Sequence, residues 1–255
     1  MERTQAPPVQ KLRIRFAKRG RLRFASHRDF QRAFERALRR AGVPVAYSQG
    51  FTPHPKVSYA GAAPMGAASE AEYLEIAVTE ECDPPAVSAA LDAALPAGLD
   101  IVDVVVADHG SLADRLQASE WSIELPDAPF EALAAAVKAF LAEPVVEVQR
   151  MTKNGIRTLD ARSAVVRMAV DPAGPTIRLV VRHQSPTVRP DDVLTGLRRL
   201  SGLRDTAHVA TRLAQGPLDE TAGTVGDPFN PWRSPNRVDH GRIALTSSPV
   251  RAIRP

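Results

Sequence analysis

The sequence has little cysteine and no long apolar segment. Its 255 residues include a single cysteine, Cys82, which excludes a disulfide framework and any zinc or iron–sulfur site built on several thiolates of this chain. No apolar run approaches the roughly 20 residues needed to cross a bilayer. The opening "MERTQAPPVQ" also lacks the apolar core of a signal peptide. The sequence therefore predicts a cytoplasmic protein with no membrane partner.

Familiar nucleotide-binding and hydrolytic motifs are missing as well. The chain has no P-loop, no dinucleotide fingerprint after its first predicted strand, no HExxH motif and no nucleophile elbow. Its glycine-containing stretch "GAAPMGAASEAE" includes Pro64, which lacks the amide that a phosphate cradle would use. These absences argue against a nucleotide-dependent enzyme, and we predict neither a cofactor nor a metal site.

Aromatic residues make up only 5% of the chain, which limits base stacking of the kind that RNA-recognition sheets use. If nucleic acid binds, contacts to phosphate must dominate. Residues 1–60 contain 14 Lys and Arg against 3 Asp and Glu, whereas residues 61–131 contain 1 against 15. Charge runs are usually solvated faces, but an asymmetry of +11 against −14 favours a basic face for an anionic partner.

The apolar fraction of 44% suffices for a core, and its periodicity predicts two similar units. In residues 10–109, "KLRIRF" and "RLRF" alternate as two strands around Gly20, and "SHRDFQRAFERALRRAG" has helical spacing after the cap Ser26. A strand, a short helix and a further strand follow, ending near Asp108. The order is read as strand, helix, strand, helix, strand with room for an extra hairpin strand, which is the βαββαβ pattern of a ferredoxin-like unit, and the arginines of the first strands are expected to point away from the core.

Residues 110–215 are predicted to repeat the pattern, with helices at "APFEALAAAVKAFLAE" and "RPDDVLTGLRRLSG" and strands between and around them. Residues 216–255 are rich in Pro, Gly, Ser and Arg without periodicity, which predicts a disordered tail, although Phe229 and Trp232 could dock on the body or on a partner. The predicted fold class is α+β: two tandem ferredoxin-like units with antiparallel sheets, followed by a disordered Pro- and Arg-rich C-terminal tail.

Two histidines fall in the basic part of the chain. His27 and His54, with Lys56, could support acid–base cleavage of RNA, in which one imidazole takes the 2′-hydroxyl proton and a cation stabilises the phosphorane. The alternative is that Ser26 and His27 form an ordinary helix start with an exposed histidine. His27, His54 and Lys56 are therefore weak catalytic candidates.

Residues 12–66 resemble the start of the radical SAM-linked domain of unknown function. The likeness rests on the strand pair, on "SHRDFQRAFERALRRAG", and on "GFTPHPK" with the trailing "PMG", and it extends more weakly to about residue 213. The domain occurs fused behind cobalamin-binding-type radical SAM proteins and, in actinobacteria, as a separate chain. The resemblance carries no catalytic residue with it. It implies a radical SAM protein as partner and, through neighbouring ribonuclease and ribosomal-protein genes, work on structured RNA such as tRNA or rRNA.

The segment "GFTPHPK" is the second part of the predicted binding site. Its two prolines fix φ and force the preceding residues to be extended, so the loop would present His54 and Lys56 with little entropy left to lose on binding. Phe51 and Tyr59 are expected to pin the ends of the loop, which could also be only a rigid crossover from helix to strand. The predicted binding residues are Arg13, Arg15, Arg21, Arg23, Arg28, Arg32, Gly50, Phe51, Pro53, His54, Pro55 and Lys56.

Three functions remain open at this point. The first is an RNA-binding accessory protein, not itself catalytic, that works with a separate radical SAM enzyme. The second is a protein–protein docking module without nucleic acid, in which the basic third meets an acidic partner and the acidic stretch from Gly61 to Glu131 orients it. The third is an RNA-processing or RNA-modifying enzyme that uses His27, His54 and Lys56.

Overall fold

The computed structural model describes residues 6–49, 51–153 and 155–230. The first half of the chain contributes two long helices and four strands, with one short 3-10 helix between the first strand and the first helix. In chain order these elements are β1 (Gln10–Lys18), the 3-10 helix (Gly20–Phe24), α1 (His27–Arg40), β2 (Val57–Ala60), β3 (Ala68–Val78), α2 (Pro84–Ala94) and β4 (Leu99–Val106).

The second half has the same elements with an additional hairpin, and a second, shorter hairpin ends the described part. In chain order these are α3 (Leu112–Arg115), β5 (Ala118–Glu124), α4 (Phe130–Ala142), β6 (Glu147–Thr152), β7 (Gly155–Asp160), β8 (Val165–Val170), β9 (Thr176–Arg182), α5 (Pro190–Ser201), β10 (Val209–Gly216), β11 (Leu218–Asp219) and β12 (Thr224–Val225). The chain is therefore an α+β protein.

One eight-stranded, mostly antiparallel sheet joins the two halves. Its strand order is β4-β1-β3-β10-β5-β9-β8, and β2 also pairs with β3. The halves meet where β10 runs parallel to the start of β3, with Thr211 opposite Ala68 and Arg212 opposite Ser69. Strand β2 takes the later part of the same edge of β3, from Tyr73 to Ile76. Hairpins β6-β7 and β11-β12 stand outside this sheet.

Alternation along the strands decides which face the helices cover. Leu12, Ile14 and Phe16 of β1 are buried with Leu74 and Ile76 of β3 under α1 and α2. On the other face of β3, Ala71 and Tyr73 pack against α3 and Phe229. A separate cluster, which includes Ile123, Phe140 and Leu194, is the core of the second half under α4 and α5.

Helix α1 begins where the sequence predicts it. Ser26 has an extended backbone and its hydroxyl accepts the Asp29 backbone N–H at 3.2 Å, which satisfies one of the free donors of the first turn. Phe30, Phe34, Ala37 and Leu38 form the buried face of the helix. The helix therefore packs its apolar stripe on the sheet and presents its arginines to solvent.

Two local predictions are wrong. "RLRF" is not a strand: Gly20–Phe24 is a 3-10 helix, and Phe24 is 57% exposed rather than in the core. The tail predicted from residue 216 is folded at least to Asn230, since β11 pairs with β12 and the Phe229 ring meets Tyr73 edge to face at 5.4 Å. Trp232 and the rest of the predicted tail, residues 231–255, lie outside the described residues.

Within the described residues, no helix is long and apolar enough to cross a membrane.

Candidate functional site

Folding neutralises much of the charge asymmetry seen along the sequence. Lys11 of β1 lies 3.2 Å from Glu75, and the Arg13 guanidinium bonds both Glu75 and Asp108. Arg19 bonds Glu70 and Asp100. The cations around β1 thus meet acidic residues supplied by β3 and β4, because those two strands flank β1 in the sheet.

Arg13 and Arg15 are therefore not free surface cations. Arg13 is 1% exposed, and one of its nitrogens also donates to the Gly110 carbonyl oxygen at 2.6 Å. Arg15 is half-buried and donates to the Glu70 carbonyl oxygen at 2.9 Å. Arg13 points away from the core formed by Leu12 and Ile14, as predicted, but it is buried on the opposite face of the sheet, where it holds the sheet to the segment after β4.

The arginines of the 3-10 helix and α1 differ from those of β1. Six of these arginines make no salt bridge with any described residue. Five of the six are exposed, and Arg23 is half-buried against the Phe24 ring. We call them the arginine surface: Arg21, Arg23, Arg28, Arg32, Arg36 and Arg39. Arg40 extends the row and donates to the Ala94 carbonyl oxygen.

The local field of this surface acts on the single acidic residue of the first helical turn. The Ser26 hydroxyl donates to Asp29 Oδ2 at 2.6 Å and lowers the pKa of that carboxyl, and Arg32 and Arg28 lower it further. Asp29 is therefore ionised at neutral pH, where it offsets part of the positive charge at the start of α1.

The loop that carries "GFTPHPK" is a narrow turn tied at its base. The Ser48 backbone N–H donates to the His54 carbonyl oxygen at 2.8 Å, and the Lys56 N–H donates to Ala46 at 2.7 Å. Phe51 at its tip is fully exposed, so the expectation that Phe51 pins the loop is wrong, whereas Tyr59 packs on Phe30. Pro53, His54 and Lys56 are exposed, Pro55 is half-buried, and Gly50 lies outside the described residues.

The structure does not bring the three weak catalytic candidates into one site. His27 lies on the helix side of the sheet, with its ring 5.0 Å from that of Tyr59. Tyr59 and Val57 of β2 pack into the core under α1, so Ser58 and Lys56, one residue out of phase, face the other side. Lys56 and His54 instead line a shallow groove with Lys11 and Glu75.

A cavity of about 210 Å³ opens between the start of α1, the end of β1 and the segment after β2. Its walls are mostly apolar and include Phe16, Phe30, Tyr59 and Met65, while Lys18 and Glu72 supply charge. His27 lies at its rim. Burial raises the pKa of the Tyr59 phenol above its ordinary value, so this side chain stays protonated at neutral pH.

Lys18 is the unusual residue of this cavity, because a lysine side chain is rarely as little as 6% exposed. Within the described ranges, no atom makes a hydrogen bond or salt bridge with its ammonium. Desolvation lowers the pKa of Lys18, and the carboxylate of Glu72 opposes this effect in part. Desolvating a lysine without a partner is unfavourable for folding. A group with such a shifted pKa in a cavity is a candidate for a functional site, because functional sites are where such shifts concentrate.

Glu72 and Arg212 connect this cavity to the second half of the molecule. Their side chains, 4% and 3% exposed, form a buried ion pair, and Glu72 also accepts the Ala63 N–H at 3.1 Å. Arg212 donates to the Gly61 carbonyl oxygen at 2.6 Å and to Gln215 at 3.0 Å. Together with Lys18, the buried cluster holds two cations and one carboxylate.

A second cavity, about 380 Å³, lies on the other side of the segment Gly61–Pro64. Ser119 Oγ is 2.7 Å from His183 Nε2, and His183 Nδ1 is 2.7 Å from the Leu116 carbonyl oxygen. Since a carbonyl only accepts, Nδ1 carries the proton and Nε2 accepts from Ser119. Burial lowers the pKa of His183, so the ring is neutral at neutral pH. Both ring nitrogens are satisfied within the fold.

Sequence reasoning missed Lys18, Glu72, Arg212, Ser119 and His183. One signal was available for Lys18. It follows Leu12, Ile14 and Phe16 at every second position, so the alternation of the strand places this lysine on the core-facing side. The partners Glu72 and Arg212 are 140 residues apart, and no local pattern announces such a pair.

Comparisons with known proteins match a family model and 35 chains of solved structures. The model of a family described as "Uncharacterized protein conserved in bacteria (DUF2344)" matches residues 11–190. A solved structure of an unknown protein from Galdieria sulphuraria is similar over 80% of this chain and 98% of its own, with 17% identity and a TM-score of 0.25. That score is too low to support an argument. No curated protein matches the chain.

Proposed function

We propose, from the premise that this chain belongs to the bacterial family DUF2344, that it is an RNA-binding accessory protein for a separate radical SAM enzyme. The RNA is a structured one, such as tRNA or rRNA. The arginine surface is the observation that carries the proposal. Lys11, Arg13 and Arg19 are paired with carboxylates. The exposed arginines of the 3-10 helix and α1 have no such partner within the described residues.

The spacing along α1 suits a phosphate backbone. Arg28, Arg32 and Arg36 are four residues apart, and at about 100° per residue they fall, with Arg39 and Arg40, within an arc of about 120°. The apolar residues Phe30 and Phe34 lie on the opposite side and are buried. A row about 18 Å long, from Arg28 to Arg40, therefore offers guanidinium groups to several successive phosphates.

The radical SAM partner follows from the sequence resemblance alone, and the exposed loop gives it a place to dock. Phe51, Pro53 and His54 stand at the tip of a turn tied at its base. A fixed, partly apolar projection, in addition to the arginine surface, would let one molecule hold RNA and a protein together.

We also infer that each half is a ferredoxin-like unit. In the first half the order β4-β1-β3-β2, with antiparallel neighbours, supports this inference. In the second half β10-β5-β9-β8 gives the same arrangement, with the β6-β7 hairpin inserted before β8.

Salt dependence tests RNA binding directly. Replacing Arg28, Arg32 and Arg36 together with Ala should weaken binding of a tRNA or an rRNA fragment and reduce the slope of log affinity against log salt by about 2 to 3, since three phosphate contacts disappear. The slope is measured by titrations from low to physiological salt.

A matched control removes the same number of charges elsewhere. Arg167, Arg178 and Arg182 are each about half exposed and lie near carboxylates of Glu120, Asp171 and Glu220. Their replacement with Ala should leave the slope unchanged. Wild-type affinity that does not respond to salt, or equal losses in the two triple variants, would refute the proposal.

A docking module without nucleic acid is the second candidate, and the full exposure of Phe51 is the observation that favours it. In that case, the radical SAM protein should co-purify with the chain after nuclease treatment and labelled RNA should not shift. Replacing Phe51 with Ala should then abolish co-purification.

A further inference from the structure

The cavity at the start of α1 has an unmet electrostatic requirement. Lys18 and Arg212 bring two positive charges to a buried cluster whose carboxylate, Glu72, already pairs with Arg212. The Lys18 ammonium lines the cavity and donates no hydrogen bond to any described residue. An acceptor atom that enters the cavity would complete the coordination of this ammonium.

The walls restrict what can bring that acceptor. Phe16 and Phe30 stack at 4.3 Å between ring centroids, Tyr59 meets Phe30 edge to face, and Met65 at the mouth is 68% exposed. Such a lining favours a flat, apolar-faced group over a hydrated phosphate. A cavity of about 150 Å³ is enough for benzene, so about 210 Å³ gives room for a larger ring system.

We propose that this cavity binds one unstacked guanine base of the RNA held by the arginine surface. Guanine presents two acceptors, O6 and N7, which are the usual partners of lysine on base edges. Its N1–H and N2–H₂ donors lie on the adjoining edge, where the Glu72 carboxylate, with about four acceptor positions, has capacity beyond Arg212 and Ala63. The inference rests on the proposed function, because the arginine surface delivers the RNA strand.

The geometry of the neighbouring elements fits this delivery. Ser26 and His27 form part of the cavity lining and also begin the helix that carries Arg28, Arg32 and Arg36. A nucleotide whose phosphate lies at the first turn of α1 therefore has its base within reach of the opening. RNA proteins that read sequence commonly take such unstacked bases from loops and bulges.

The test uses the full chain and five RNA hairpins that differ only at one bulged position, which is G, A, U, C or abasic. The wild type should bind the G bulge about tenfold more tightly than the abasic hairpin, as expected for one good base-edge contact. Lys18→Met should bind all five equally while keeping the salt dependence. Lys11→Met, on the same strand but 62% exposed, should keep the preference.

A second variant guards against a folding defect at Lys18. Ala25→Phe fills the cavity from its wall and leaves Lys18 in place, and it too should lose the preference for G. Salt-dependent binding without any preference in the wild type would overturn the inference and leave the proposed function standing. A preference for A, U or C, or a preference that survives Lys18→Met, would also overturn it. Absence of binding to every hairpin at low salt would refute both.

Discussion

Lys18 is a residue whose burial opposes folding although its position suits a binding site. Its side chain is 6% exposed and its ammonium interacts electrostatically with Glu72 and Arg212, and among the described residues no acceptor bonds it. Lys18→Met keeps the length of the side chain and removes the buried charge. We expect the variant to gain about 1–3 kcal/mol in free energy of unfolding at neutral pH, because the cost of desolvating the ammonium disappears.

The pH dependence has a definite sign. Burial lowers the pKa of Lys18 below its ordinary value of 10.5, so between the folded and unfolded pKa values the unfolded chain binds more protons. The stability of the wild type should therefore rise with pH through that window, and Lys18→Met should lack this rise. Urea unfolding at a series of pH values measures both effects. A variant less stable than the wild type at neutral pH would contradict the argument, and Lys11→Met serves as the exposed control.

At the scale of elements, prediction from sequence works where a segment carries its own boundary signals. Helix α1 is confirmed because Ser26 caps it, Phe30 and Phe34 repeat at helical spacing, and Gly42 follows it. The segment Arg21–Phe24 has an alternating pattern but forms a 3-10 helix, since Gly20 at φ +56° turns the chain and none of the described strands pairs with it. Alternation alone does not supply a pairing partner.

The hairpin β11-β12 shows that prediction from sequence composition can also miss an ordered segment. Its composition predicts disorder, yet Val225 is buried beside Ala118 and Val180, and the Arg115 guanidinium donates to the Pro228 carbonyl oxygen at 3.0 Å. These contacts come from residues that lie far away in the sequence. A window of Pro, Gly and Ser therefore underestimates the order that distant strands impose.

A single aromatic residue tests whether this segment contributes to stability. Phe229→Ala removes the ring that meets Tyr73 at 5.4 Å, and we expect a loss of about 1–2 kcal/mol, below the range for a fully buried phenylalanine. Phe51→Ala is the matched control, because Phe51 is fully exposed and should cost nothing. Thermal unfolding of the two variants gives the comparison. Equal melting temperatures would show that the segment adds nothing to the fold.

At the scale of the molecule, charge along the chain is a poor guide to charge in space. The 14 Lys and Arg of residues 1–60 include cations that β1 brings against Glu75 and Asp108 and cations that α1 presents to solvent. The amino-acid composition reports only the total number of cations in the two groups. Only the sheet order, which places β1 between β3 and β4, separates them, so the binding surface is smaller than the sequence predicts.

The junction of the two halves supplies the last prediction. Strands β3 and β10 share only a short parallel contact, and Arg212 reinforces it through Glu72, Gly61, Ser69 and Gln215. Arg212→Leu leaves Glu72 buried without its guanidinium partner. The free energy of unfolding should fall by about 3–5 kcal/mol, as is usual when one member of a buried pair is removed.

Lys18 modifies this expectation in a way that can be measured. Since Glu72 and Lys18 interact electrostatically, the lysine can compensate the carboxylate once Arg212 is absent. Arg212→Leu should therefore be more damaging when combined with Lys18→Met than alone, and the two effects should not be additive. Urea unfolding of the two single variants and the double variant completes the cycle. If the two changes in free energy of unfolding were additive, Lys18 would not act on Glu72. The description of these three residues as one buried charge cluster would then be wrong.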